Sequence, residues 1–293
     1  MLKETFRNSG TLGKLLQLFF ITLFLGIAAM GIVSVIFGTT TLINDQKVMQ
    51  LILSLFTFLI PPVVVGYLWY ERPAAAYGLT QKPDGKLIFL AILLMIVLSP
   101  GINLLSYLNE QIGLPDFMKG IEQYFKDMEA LAASVTEQML KVNNIGDLMV
   151  NLLVMAVVPA FCEELYFRGT LQNIFSEKRN KHAAIWIVAI IFSLIHFQMY
   201  GFFPRMILGA VLGYLLVWSG SLWVPVIAHF TNNALAVLVS GLGQGNEQVK
   251  AMEEIGKSET YWYGIISILI SALIIREIYK MRKKETQVIK PVS

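Results

Sequence analysis

The chain has 293 residues, 56% of them hydrophobic and only 15% charged, with a mean hydropathy of +0.63. Soluble domains carry about 25% charged residues, so this composition excludes a free cytosolic enzyme, a disordered protein and a disulfide scaffold. A small, dispersed net charge of +3 does not suggest nucleic-acid binding, and the single cysteine, Cys162, leaves no internal disulfide.

A helix needs about 20 apolar residues to cross the hydrocarbon core. Such runs lie at 15–37, 48–70, 87–108, 147–176, 183–200, 205–219, 222–240 and 261–279, which predicts eight spans. Lys3, Arg7 and Lys14 precede the first run, as in a signal peptide. The run is too long for one and no small-residue site ends it, so it reads as a retained anchor. Pro61-Pro62 and Pro100-Gly101 are expected to kink their helices. Basic residues gather at Lys3, Arg7 and Lys14, at Arg72, Lys82 and Lys86, at Lys178, Arg179 and Lys181, and at Lys280, Arg282, Lys283 and Lys284. Eight crossings put all four clusters on one side, which predicts cytoplasmic termini. In the long connection 109–146, Met118, Ile121, Phe125, Met128, Ala132, Val135 and Met139 recur at steps of three and four. That spacing predicts an amphipathic helix on the outer side, either packed on the surface or acting as a lid. The expected fold is all-α, a polytopic bundle of about eight transmembrane helices around a central polar cavity. Three regions are expected: 1–146 with three spans and the amphipathic segment, a catalytic core at 147–240, and 241–293 with the last span and a basic tail.

Ionisable groups inside spans are costly and point to function. Span four carries Glu163, Glu164 and Arg168, span five His196, and span seven His229 and Asn233. His182 sits in a basic loop and reads as solvated. At 1.5 Å rise per residue, Glu163 and His196 each lie 13 residues (176 − 163 and 196 − 183) from the cytoplasmic ends of their predicted spans. His229 reaches that level only if the 219–222 turn is sunk. Glu164 and Arg168, four apart, pair on one helix face, while Glu163 points about 100° away, toward a cavity. Polar glue between helices would use Ser, Thr and Gly at lower desolvation cost. A carboxylate beside imidazoles and a carboxamide suits water activation with stabilisation of an oxyanion. The same Glu163, His196 and His229 also form a plausible zinc ligand set. No HExxH motif is present, no span carries an aspartyl pair, and Ser193 beside His196 lacks a nucleophile turn. Cys162 reads as a small hydrophobe.

The ordered motifs Glu163-Glu164-x-x-x-Arg168, Phe192-x-x-x-His196 and His229-x-x-x-Asn233 resemble the CPBP family of CAAX-protease and bacteriocin-processing membrane endopeptidases, also called the Abi family. The intervals of 33 residues (196 − 163 and 229 − 196) fit that pattern. The resemblance covers about 147–240. It implies a membrane endopeptidase with Glu163 as the water-activating base, His196 as its orienting partner, and His229 and Asn233 as oxyanion donors. Glu164 and Arg168 match the family's supporting pair. No cofactor is required on this reading, since a carboxamide such as Asn233 is a poor zinc ligand and Glu164 is committed to Arg168; zinc is the alternative. The expected partners are a peptide or protein substrate and the lipid bilayer, with no nucleic acid, and the expected location is a bacterial plasma membrane. Two other functions compete: a non-catalytic scaffold or bacteriocin self-immunity protein of the same fold, and a proton pathway or transporter. Intact motif residues favour the enzyme over the first, and a single polar cluster without an inverted repeat disfavours the second.

Overall fold

The computed structural model describes residues 2–38, 42–112, 115, 117, 119–243 and 246–282. Met118, Lys283, Lys284 and the polar tail lie outside the described residues. The main helices are α1 (Thr11–Phe37), α2 (Ile43–Trp69), α3 (Gly85–Glu110), α4 (Lys119–Leu140), α5 (Ile145–Ser176), α6 (Lys181–Leu194), α7 (Phe202–Ser219), α8 (Trp223–Leu242) and α9 (Tyr261–Lys280). No strand occurs among the described residues. The protein is an all-α integral membrane protein.

Among the described residues seven helices, not eight, are long and apolar enough to cross a membrane; the apolar α6 is shorter. Its 14 residues span roughly 21 Å at the helical rise, less than the hydrocarbon thickness of about 30 Å. Apolar residues continue past its end at Leu194, which is why composition alone extends it to 200. His196 therefore sits beyond the helix, on a turn where Phe197 takes a left-handed backbone conformation (φ 51°). That conformation is rare outside glycine, and here it marks a forced change of chain direction.

Two apolar cores flank the centre of the bundle. One joins α3, α7, α8 and α9 through Leu94, Met95, Leu212, Leu215, Ala228 and Ile278. The other joins α1, α2, α5 and α6 through Leu18, Val65, Phe167, Ile174, Val188 and Phe192. The 219–222 turn is buried beneath the segment after α2. Leu222 N–H donates to Gly78 O, Ser221 Oγ to Gln81 O, and Trp223 Nε1 to Leu79 O. Gly78 holds φ +76°, and its missing side chain lets the two turns meet.

The prolines are absorbed without broken helices. Pro61 and Pro62 follow a π-helical stretch, Leu55–Leu59, inside α2. At Pro100, Ser267 Oγ of α9 accepts from Gly101 N–H and donates to Val97 O, re-satisfying the freed backbone groups. The helix α4 forms as its periodicity predicts. Phe125, Ala132 and Val135 are half-buried and Met139 is buried, but Ile121 and Met128 are exposed, so only part of the apolar face is seated. His182 is exposed yet not merely solvated, because Nδ1 lies 2.9 Å from Tyr214 Oη. Cys162 is buried, and Ser193 donates to Phe202 O, tying α6 to α7.

Candidate active site

The segment carrying Glu163 and Glu164 is a short α-helical piece, Val158–Glu164, framed by π-helical stretches at Leu152–Val157 and Leu165–Leu171. Such stretches recur at functional sites because they re-aim side chains. Glu163 and Glu164 diverge as consecutive helical residues must. The Glu163 side chain keeps 16% of its surface accessible, whereas that of Glu164 has none.

Glu164 is the hub of the buried network. Its Oε1 accepts from Arg168 Nη1 at 2.7 Å and from His229 Nδ1 at 2.8 Å. Arg168 Nη2 donates to Gly209 O at 2.9 Å, so α5, α7 and α8 are joined through one fully buried Arg168–Glu164 pair. Gly209 permits this approach. A Cβ there would lie 3.2 Å from the Phe192 ring and 3.3 Å from Ala189 Cα. Phe192 fills the middle, with the Arg168 guanidinium 4.7 Å from its ring centroid and the His196 and His229 rings edge-on to it. This packing gives the phenylalanine of the Phe192-x-x-x-His196 motif its role: it is the apolar wall that both histidines lean on.

The hydrogen bonds fix the imidazoles. A carboxylate and a backbone carbonyl only accept, so His229 donates from Nδ1 to Glu164, and His196 donates from Nδ1 to Phe192 O at 2.7 Å. Both rings are left with Nε2 as the remaining functional atom, and His229 Nε2 lies 3.9 Å from Glu163 Oε2. Asn233 is oriented as well: its Oδ1 accepts from Asn232 Nδ2 at 3.2 Å, which frees the Asn233 amide N–H groups to donate.

Glu163, His196, His229 and Asn233 line one cavity of about 200 Å³, together with Phe192, Arg205, Leu208 and Asn232. Glu164 and Arg168 stand behind it. Two lining polar residues, Asn232 and Arg205, were not expected from the sequence. Asn232 adjoins a motif residue and orients it. Arg205 opens an apolar run and reads there as a boundary residue. The α4 helix meets the wall that carries Arg205. Tyr200 N–H donates to Glu129 Oε2 and Tyr200 Oη to Glu122 Oε1, while Lys126 sits over the Tyr200 ring. Burial holds the Glu129 carboxyl above the usual carboxylate range, against the pull of Tyr200 N–H and Arg205.

The pairing of Glu164 with Arg168 does not leave His229 without a carboxylate, because the same oxygen serves both. The expected poverty of outer-sphere support for zinc is therefore wrong; carboxylate–histidine support of the kind metal ligands use is present. What the geometry lacks is convergence. Among the described residues no group of three His, Cys, Asp or Glu side chains comes together as a metal site. Glu163, His196 and His229 share a cavity but do not fit as a ligand set.

Residues 145–235 match the model of a family described as type II CAAX prenyl endopeptidase Rce1-like. This segment is similar to that family. The match includes every residue of the buried network and the cavity, in agreement with the resemblance carried by the three motifs. It leaves α1–α4 and α9 unmatched. The chain is also similar to YpbD, an uncharacterized protein of Bacillus subtilis (strain 168), which is 30% identical over 89 residues. Those residues are 29% of this chain and 43% of YpbD, so the chain spans less than half the length of the curated relative it matches.

Proposed function

We propose that the protein is an intramembrane endopeptidase that hydrolyses a peptide bond of a membrane-associated, prenylated or leader-type peptide with water activated by Glu163. The observation that carries this reading is one cavity where a partly accessible carboxylate, two anchored imidazoles and an oriented carboxamide meet. Glu163 takes a proton from water as the oxygen attacks the carbonyl carbon, and returns it to the amide nitrogen as the C–N bond breaks. His196 Nε2, with Nδ1 committed to Phe192 O, accepts a hydrogen bond that orients the water. Asn233 donates to the developing oxyanion. His229 joins it as a donor only as the imidazolium, since Nδ1–H is held by Glu164. Every step runs on the chain's own residues, and we take the enzyme to need no metal. One tightly held zinc per chain in active protein, with activity lost on removal and restored on return, contradicts that part.

The test is proteomic. Membranes expressing the wild type should release a peptide that membranes expressing Glu163→Gln do not, with equal amounts of folded protein in both. Processing at the wild-type rate by purified Glu163→Gln refutes the mechanism. A non-catalytic scaffold needs none of Glu163, His196 and Asn233 turned into a shared cavity, so it is the weaker reading.

We further place both termini in the cytoplasm of a bacterial plasma membrane, on the strength of the basic clusters, which fall on one side when the shorter apolar α6 crosses together with the seven membrane-length helices. A cysteine in the 178–181 loop should react with an impermeant thiol reagent only from the cytoplasmic side, and one at Glu247 only from outside.

A further inference from the structure

We infer that Arg205 is the anchor for a carboxylate of the bound peptide, a specificity role that rests on the peptidase reading above. Arg205 lines the same cavity as Glu163. Unlike Arg168, which is paired with Glu164, it has no carboxylate within ion-pairing distance among the described residues. Its hydrogen bonds go to neutral oxygens of one residue: Nη1 donates to Gln198 O at 3.2 Å and Nη2 to Gln198 Oε1. Glu129 attracts it through space, but that carboxylate is occupied by Tyr200 N–H on the α4 side.

The wall is shaped to hold the guanidinium. It lies against Gly201, where a Cβ would come within 2.2 Å of Nη2 and 2.6 Å of Cζ. Any side chain at 201 would push the fork away from this position. Gln198 grips one part of the fork and fixes its plane. Two of the five guanidinium N–H groups are used, and the others remain for a ligand.

The rest of the cavity explains what that ligand is. Glu163 is an acceptor, and His196 presents an acceptor at Nε2. Asn233 and His229 are claimed by the oxyanion, with His229 Nδ1 held by Glu164. None of these groups offers a fixed positive charge to an anionic part of the substrate. A planar guanidinium held by neutral groups is matched to a carboxylate, which it binds through paired, charge-assisted hydrogen bonds. The carboxylate belongs either to the peptide's C-terminus or to an Asp or Glu side chain.

The test measures binding without turnover. Full-length Glu163→Gln protein in nanodiscs is titrated with dansyl-Ala-Ala-Val-Ile as the free acid, as the C-terminal amide, and as the amide with Glu replacing Val. The free acid should bind about tenfold tighter than the plain amide, the range expected for charge-assisted hydrogen bonds. If the side chain is the source, the Glu-containing amide recovers the affinity instead. Arg205→Gln should erase the preference, and Arg205→Lys should retain part of it. Gly201→Ala should also reduce it, although the charge is kept, because the fork is displaced. Matched melting temperatures separate these effects from misfolding, and a purely structural clamp would not distinguish acid from amide. Equal binding of all three peptides, binding of none, or a preference that survives Arg205→Gln overturns the assignment. If the preference holds but wild-type protein cleaves none of the peptides, Arg205 stands and the peptidase reading falls.

Discussion

Helices α1 and α8 are both apolar and membrane-length, yet 11% of the apolar stretch of α1 is buried inside the protein against 44% for α8. Phe24 and Val35 of α1 face outward, while Val224, Ala228 and Val237 of α8 are enclosed. The difference lies in what each helix has for a solvent. Lipid accepts any apolar side chain of α1, so that helix has to satisfy length and hydropathy. By contrast α8 has to match neighbours atom by atom, because His229 must reach Glu164 on α5 while Phe192 of α6 packs against its ring. Two apolar helices thus carry very different densities of structural information.

The contrast is tested hardest at the cavity. Glu163→Gln should lower hydrolysis by about 10²–10⁴-fold, the usual contribution of a general base, with an unchanged melting temperature. Its side chain is not part of the Arg168 network, so unfolding of this variant would show that the site and the scaffold are one unit. Arg168→Ala should instead lose both activity and stability. Removing one partner of a buried pair costs about 3–5 kcal/mol, here by stranding Glu164 in a dry interior. A melting curve indistinguishable from wild type would show that the α5–α8 half tolerates polar damage as α1 tolerates apolar change.

A gentler probe compares the same operation in both regions. Gly209→Ala adds one methyl group where α7 packs against α6, 3.2 Å from Phe192 and 3.3 Å from a backbone atom of Ala189. Overpacking of this kind costs about 1–3 kcal/mol, and here it also pushes Gly209 O away from Arg168. Phe24→Leu on α1 should stay within about 0.5 kcal/mol, as for other substitutions away from packed features. Thermal unfolding of the two variants in the same lipid checks the difference, and equal losses would erase the distinction between the helices.

This division also explains what the sequence made legible. The outer helices answer to length and composition, so α1, α2, α3 and α9 were located from hydropathy alone. Glu164 with Arg168 was legible because four residues along one helix is a local relation. The bond from His229 to Glu164 was not, since it depends on how α8 rotates against α5, and no spacing within either helix encodes that. The end of α6 at Leu194 was hidden by apolar residues that continue to Ile195 and Phe197. Arg205 was hidden for the opposite reason, because a cation at the start of an apolar run looks like an interfacial residue until Gly201 and Gln198 are seen to hold it in the cavity wall.

The smallest expected effect lies where the matched core meets the unmatched α4. Glu129 is held above the usual carboxylate range chiefly by burial, with Glu110 adding to the shift and Tyr200 N–H and Arg205 opposing it. Glu122 and Lys126 of α4 face the same Tyr200 side chain. A carboxyl group whose folded value is raised stabilises the docked state fully below its unfolded value of about 4.3, and that contribution is lost as pH rises through the folded value. Docking of α4 should therefore loosen slightly as pH rises above about 4.3. Hydrogen exchange over 119–140, corrected for its intrinsic pH dependence, should speed up by a small factor. Glu129→Gln keeps an oxygen for Tyr200 N–H and removes the titration, so its exchange should be flat across the same range. The effect is small because the group is only partly buried and both Tyr200 N–H and Arg205 oppose the shift. An identical pH slope in wild type and Glu129→Gln would move the dependence to Glu122 or to the histidines of the cavity. In that case α4 would answer to the site beneath it and not to its own contact with the Tyr200 turn.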